Sequence, residues 1–271
     1  MKNVGARRTN AAIYLDAVAT VAYLAGNIAN AYYGKNPQVT AKSDGTPVTA
    51  ADINAERAAR EWIERRFPDD GILGEELPTV RAGAPRRWIL DPIDGTYTFL
   101  QGVPLWGTLV AVAEGENVIA GAAFFPALEE TIVAARGEGC WWNGSRTRVS
   151  AVSDLANARL VTTDARFRRD DERRERWLRL QDATRTMRTW GDCYGYLLVA
   201  TGRADIMVDE VISDWDGAAL QPIVEEAGGV FTDWRGRQTA FGGDAIATNA
   251  QLSTEVRALL ASSVDVGVTA S

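Results

Sequence analysis

Apolar letters return at helical spacing through residues 11–33, AAIYLDAVATVAYLAGNIANAYY, and predict one long helix with an apolar stripe. The polar stretch GKNPQVTAKSDGTPVTAAD that follows is rich in turn formers and reads as a loop or hairpin. A second helix is expected over TAADINAERAAREWIERRF, with Thr49 as N-cap and Asp52 completing a capping box. Beyond DGILGEE the period changes. RWILD reads as a buried strand, and WGTLVAVAE, VIAGAAFFP and TIVAARG as successive strands. The Asn-Gly pair of GEGCWWNGSR marks a turn between strands. The first half is therefore expected to be two helices beside an antiparallel meander.

The second half alternates. ARLVTT, TRTMRTW, ADIMVD, GVFTDW and DAIATN read as strands. RDDERRERWLRLQ, CYGYLLVATG, WDGAALQPIVEEAG and QLSTEVRALLAS read as helices between and after them. Such alternation indicates an α/β layer arrangement behind an α+β first half. We expect an N-terminal half over 1–154, a C-terminal half over 155–262 with no long linker, and a frayed tail over 263–271.

With 46% hydrophobic and 24% charged letters in 271 residues, the composition is that of an ordinary globular protein. A formal charge of −7 argues against a nucleic-acid groove, which needs clustered basic residues. The basic run RFRRDDERRERWLR at 166–179 is broken by four acids and reads as a solvated helix face. Two cysteines without a Cys-x-x-Cys fit a reducing cytosol better than a disulfide framework. No signal-peptide pattern opens the chain, and no apolar run is read as reaching the roughly 18 residues of a membrane span. A cytoplasmic protein with neither membrane nor nucleic acid as partner is expected.

The most restrictive count is zero histidines. It removes Ser-His-Asp and Cys-His mechanisms and His-ligated zinc. Catalysis is left to carboxylates, hydroxyls, lysine or a hard metal ion. Three acidic sites stand out: Glu75 and Glu76 in LGEEL, Asp91 and Asp94 in DPIDGT, and Asp216 in SDWDGAAL. Singly, each is an ordinary turn former or helix cap. Together they suggest more. Asp91 is read as closing the buried strand, and Pro92 as directing the chain out of the sheet so that Asp94 points back toward Asp91. Close carboxylates repel unless a cation lies between them, and oxygen ligands select Mg²⁺, Mn²⁺ or Ca²⁺. Gly95 allows close approach of the backbone, and Thr96 adds a hydroxyl at a turn whose N–H groups can face an anion. The stretch has the makings of a metal site with a phosphate cradle. IDGT also resembles the Asp-x-Asp-Gly-Thr motif of aspartyl-phosphate phosphatases, but Pro92 holds the nucleophile's position, which argues against a covalent aspartyl mechanism.

GEE, DPIDGT and WDGAAL…EEAGG occur in the order and approximate spacing of the inositol monophosphatase-like superfamily, and the resemblance runs from VTAAD to the final ATN. These are Mg²⁺-dependent, lithium-sensitive phosphatases. The resemblance implies a layered αβαβα sandwich, a homodimer, and two or three Mg²⁺ per active site with Mn²⁺ as a substitute. Glu75, Asp91 and the carbonyl of Ile93 resemble the ligands of the first metal; Asp91, Asp94 and Asp216 resemble those of the second. Thr96 and Glu75 would position and deprotonate the attacking water, with Asp52 as partner of the Thr96 hydroxyl. The Gly95 and Thr96 amides would hold the phosphate. Lys42 matches a lysine near the metals, and Glu76 could support the ligands from behind. The implied reaction is phosphate-monoester hydrolysis by a metal-activated water, without covalent intermediate. Such hydrolysis is extremely slow uncatalysed, and a metal pair can clamp the attacking and leaving oxygens in line.

RTWGDCYGYLLVATG bears on the substrate. Inositol phosphatases usually carry small residues after the glycine, whereas here Asp192 follows Gly191. Asp209 and Glu210 precede Asp216, and an acid at the position of Asp209 binds a substrate hydroxyl in the superfamily. An added carboxylate in a site for an anion suits a substrate with a cationic tail, such as L-histidinol phosphate. WGD and VPLWGTLVAV resemble the histidinol-phosphatase branch, in which an arginine often stands at the position of Arg188. Asp94 and Asp216 would border the substrate as well. Asp192 also reads as the cap of a helix starting at Cys193. Inositol monophosphatase or a broad sugar and nucleotide phosphatase is the alternative, and a non-catalytic metal- or partner-binding protein the remote one. Trp141, Trp142 and Tyr194 read as core.

Overall fold

The computed structural model describes residues 10–35, 39–41 and 47–261. Lys42 and the tail over 263–271 lie outside the described residues. The first described element is α1 (Asn10–Asn30), whose 20-residue stretch Ala11–Asn30 is long and apolar enough to cross a membrane by length and composition alone. That corrects the expectation that no run reaches this length. The stripe explains the composition: Val18, Val21, Ala22, Ala25 and Ala29 are buried against the neighbouring sheet and helix. The antiparallel pair β1 (Val39–Ala41) and β2 (Pro47–Thr49) leads into α2 (Ala50–Arg66). Thr49 caps α2 as expected: its Oγ1 accepts the Ala51 N–H at 3.1 Å, and Asp52 Oδ2 accepts the Thr49 N–H at 2.8 Å.

The first sheet contains β3 (Gly71–Gly74), β4 (Arg86–Asp94), β5 (Gly107–Glu114), β6 (Asn117–Phe125), β7 (Glu130–Ala135), β8 (Gly139–Trp142) and β9 (Ser145–Arg146), in that spatial order. A short helix, α3 (Thr96–Leu100), follows β4. Strands β4 to β9 pair antiparallel, but β3 lies parallel to β4. The sheet is thus not purely a meander; GILG was too short and glycine-bounded for its period to be read. Trp88 and Leu90 of β4 enter the core under α1 and α2, and Ile89 enters the core on the opposite face. Covering both faces makes the strands near-continuous apolar runs.

The second sheet comes from alternating elements: β10 (Arg159–Val161), α4 (Asp171–Ala183), β11 (Thr186–Arg188), α5 (Asp192–Ala200), β12 (Ile206–Asp209), α6 (Asp214–Glu226), β13 (Gly229–Thr232), β14 (Ala245–Asn249) and α7 (Ser253–Leu260). Its strand order is β11-β10-β12-β14-β13. Helices α5 and α6 fill the space between the sheets, sharing one core with Ile89 and Leu109 of the first and Met207 and Phe231 of the second. Helices α4 and α7 cover the far face through Trp177, Leu180, Val256 and Leu260. The result is the five-layer αβαβα sandwich. The basic run is not wholly a solvated face: Phe167 and Trp177 are buried, and Arg176 is buried too and donates to the Leu260 carbonyl at 3.0 Å, tying α4 to α7.

Candidate active site

In a regular strand Asp91 and Asp94, three positions apart, would face opposite sides. The pairing with β5 slips here: Asp91 opposes Leu109 while Asp94 opposes Gly107, so three steps on β4 match two on β5. The β-bulge brings Asp94 back to the face of Asp91. Pro92 suits the bulge because it has no N–H to lose, and its carbonyl accepts the Thr108 hydroxyl at 2.7 Å. Strand β4 therefore runs on through Asp94; Pro92 does not take the chain out of the sheet at Asp91. The face concerned is that of Ile89, toward α6. There Asp216, in the first turn of α6, accepts the Ser213 N–H at 2.9 Å. Oxygens of Asp91, Asp94 and Asp216 all lie within 4.8 Å of one another.

Glu75 follows β3, and its N–H donates to the Leu90 carbonyl at 3.1 Å. The parallel register, with Gly74 opposite Leu90, thus sets Glu75 beside Asp91. No Lys or Arg among the described residues neutralises the three aspartates. Burial first, then the charges of Glu75, Asp94 and Asp216, pushes Asp91 well above the usual carboxylate range. Asp94 is raised well above it by burial and by Asp192 and Asp216. Asp216 is pushed up to about 7, chiefly by burial. Clustered oxygen donors without a protein cation fit a hard divalent metal ion, which would restore the charged forms.

Around this centre the expected residues divide. Gly95 has φ +80 and precedes α3, and a Cβ there would come within 2.8 Å of Asp192 Oδ2. The hydroxyl of Thr96 donates to the Ile93 carbonyl at 3.1 Å. Asp52 Oδ2 accepts both the N–H and the hydroxyl of Thr49, at 2.8 and 2.7 Å. The Asp52–Thr96 pair is therefore not formed: the capping box holds Asp52, and Thr96 bonds within its own turn. Glu76 donates its N–H to Glu56 at 2.8 Å.

Asp192 does not cap α5. Its Oδ2 accepts the Thr98 hydroxyl at 3.0 Å, and its N–H donates to Thr163 Oγ1 at 2.8 Å. Its φ of 49° lies in the left-handed region, which Asp tolerates better than most residues. Asp94 takes the cap instead, accepting the Cys193 N–H at 2.5 Å. Asp209, at the end of β12, accepts from the Thr163 N–H at 3.0 Å and the Tyr196 hydroxyl at 2.9 Å, and burial pushes it up to about 6. Asp94, Asp192, Asp209, Asp216 and Tyr196 wall a cavity of about 60 Å³. Arg188 is not among its walls; it is exposed at the end of β11 and donates to the Met187 carbonyl at 2.7 Å. Trp142 and Tyr194 also stand apart, both donating to Glu130. Thr98, Thr163 and Tyr196 were missed from sequence. Only Thr98, two places after Thr96, carried a local signal. A larger groove of about 660 Å³, lined by Tyr23, Leu24, Ile28 and Trp62, contains no charged group to meet a phosphate or metal.

A profile described as Inositol monophosphatase family matches residues 12–265. A histidinol-phosphatase from Chlorobaculum parvum is 44% identical over 82% of this chain and 86% of its own length. One from Mycobacterium tuberculosis is 40% identical over 81% and 86%. Among solved structures, an inositol monophosphatase from Zymomonas mobilis superposes with a TM-score of 0.84 at 31% identity, covering 93% of this chain and 99% of that one. The chain belongs to the inositol monophosphatase family.

Proposed function

We propose that this member of the inositol monophosphatase family is a Mg²⁺-dependent phosphatase that hydrolyses L-histidinol phosphate to L-histidinol. Glu75, Asp91 and the Ile93 carbonyl would hold one cation, and Asp91, Asp94 and Asp216 another, with Mn²⁺ as a substitute. When bound, the metal supplies Lewis acidity toward water and neutralises phosphate charge. The chain's own groups do the rest. The Gly95 and Thr96 amides, at the start of α3, hold phosphate oxygens. Thr96 orients the attacking water and Glu75 accepts its proton. No histidine is required.

Asp192 carries the choice of substrate. Thr98 holds its carboxylate over Gly95, beside the acidic cavity. A further negative charge would oppose a phosphate ester unless the ester carried a positive charge of its own. The ammonium and imidazole of histidinol provide it, and such a pair strengthens in a partly dry cavity. The two relatives bearing that name support the reading. Asp209 favours a second one, inositol 1-phosphate or a broader sugar phosphate, because a carboxylate there can accept a substrate hydroxyl. A homodimer, a cytoplasmic location and inhibition by lithium accompany either. The test is kcat/KM with Mg²⁺ on L-histidinol phosphate and myo-inositol 1-phosphate side by side. A preference of a hundredfold, about 2.7 kcal/mol, for histidinol phosphate is expected. Preference for the inositol ester would overturn the substrate assignment and leave the metal chemistry intact. No phosphate released from any ester, an aryl phosphate included, would point to a non-catalytic binding protein.

A further inference from the structure

Glu56 is wholly buried on α2, and Arg60, one turn on, is nearly so. Neither belongs to the acidic cavity. Their bonds run to the backbone just after Glu75. Glu56 Oε2 accepts the Glu76 N–H at 2.8 Å, and Oε1 accepts the Leu77 N–H at 3.2 Å. Arg60 donates Nε to Glu56 at 2.7 Å, Nη2 to the Leu77 carbonyl at 2.8 Å and Nη1 to the Pro78 carbonyl at 2.9 Å. Glu56 also walls the same narrow crevice as Asp91 and Pro92. On the other side, the Glu75 N–H is held by the Leu90 carbonyl at 3.1 Å. Gly74 leaves the room for this arrangement: a Cβ there would lie 2.0 Å from Glu56 Oε1.

A buried ion pair is a weak source of net stability, because desolvation offsets the attraction. It is a strong constraint on whatever completes its hydrogen bonds. Here that is three successive residues, 76–78, immediately downstream of Glu75. We infer that Glu56 and Arg60 are positioning residues: a buried clamp that fixes the backbone after Glu75 and so sets its carboxylate for a divalent cation beside Asp91. The inference rests on the reading of Glu75 as a metal ligand. Groups that support metal ligands from behind typically change affinity by about 10–100-fold when removed.

The test is Mn²⁺ binding, followed by electron paramagnetic resonance without substrate, on wild type, Glu75→Gln, Glu56→Gln, Gly74→Ala and Arg60→Lys. Expected is a roughly tenfold or greater loss of affinity in Glu56→Gln, a comparable loss in Gly74→Ala, and a smaller one in Arg60→Lys. The Mg²⁺ concentration for half-maximal turnover should rise in parallel, with substrate KM at saturating Mg²⁺ little changed. If Glu56→Gln does not fold, Gly74→Ala and Arg60→Lys decide, since each perturbs the same contacts while keeping the pair's charges. Unchanged Mn²⁺ affinity in the folded clamp variants, with Glu75→Gln weakened, would overturn the clamp and spare Glu75 as a ligand. Unchanged affinity in Glu75→Gln itself would overturn the underlying reading, and the clamp with it.

Discussion

Asp94 of β4, which clusters with Asp91, and Asp192 at the start of α5 reach the same cavity by different means. Asp91 and Asp94 belong to a strand hydrogen-bonded on both sides, by β3 and β5. Their common face follows from sheet register and one bulge. A slip of one residue would turn every side chain of β4 over and bury the wrong set, so register resists change. Asp192 depends instead on a left-handed backbone, on its N–H donating to the Thr163 hydroxyl and on its carboxylate accepting from the Thr98 hydroxyl. A single substitution can alter those bonds without disturbing either sheet. On the proposed reading, metal chemistry would rest on the rigid element and substrate choice on the adjustable one.

The contrast can be broken at the strand first. Asp94→Asn should lower kcat/KM by about a thousandfold or more on both histidinol phosphate and inositol 1-phosphate, with the circular dichroism spectrum unchanged. Activity within tenfold of wild type would remove Asp94 from the metal site.

A smaller effect is expected from Asp216→Asn in the absence of divalent cations. The folded-state pKa of Asp216 is raised to about 7 from 3.8. Its contribution therefore favours the fold below about pH 4 and is lost as pH rises through about 7. Asn mimics the neutral acid, so the variant should melt with wild type near pH 4 and above it at pH 8, by on the order of 2 kcal/mol. Mg²⁺ should reverse the order at pH 8, because the cation needs the ionised form. A gap that does not depend on pH would show that Asp216 is not held near neutrality.

The smallest effect belongs to the rim. Thr98→Val removes the hydroxyl that holds Asp192, and should cost about threefold in kcat/KM on histidinol phosphate alone, in line with one modest hydrogen bond. An equal loss on inositol 1-phosphate would assign Thr98 to the shared machinery.

The clustered acids were legible because glycine, proline and carboxylates stand close together in DPIDGT and WDG. The bulge was not, since Pro92 is equally consistent with a strand's end. Four-residue β3 lacked a readable period, and with it went the parallel register that sets Glu75 beside Asp91. Asp192 reads locally as a cap; only the tertiary structure shows Asp94 taking the Cys193 amide, from 99 positions away in the chain. Thr163 and Tyr196 meet at Asp209 only because β10 lies next to β12 and α5 packs beneath them, a matter of sheet order. For Asp52, the capping box that sequence revealed is the role the structure keeps.

The most direct test is Asp192→Asn, a substitution that also tolerates the left-handed backbone, assayed with Mg²⁺ on histidinol phosphate and inositol 1-phosphate. The account predicts a loss of about 30-fold or more in kcat/KM on histidinol phosphate, as for a desolvated charge pair, with the inositol ester within about threefold of wild type. Equal losses on both esters would contradict it, and would make Asp192 a structural support for Gly95 rather than the partner of a cationic substrate.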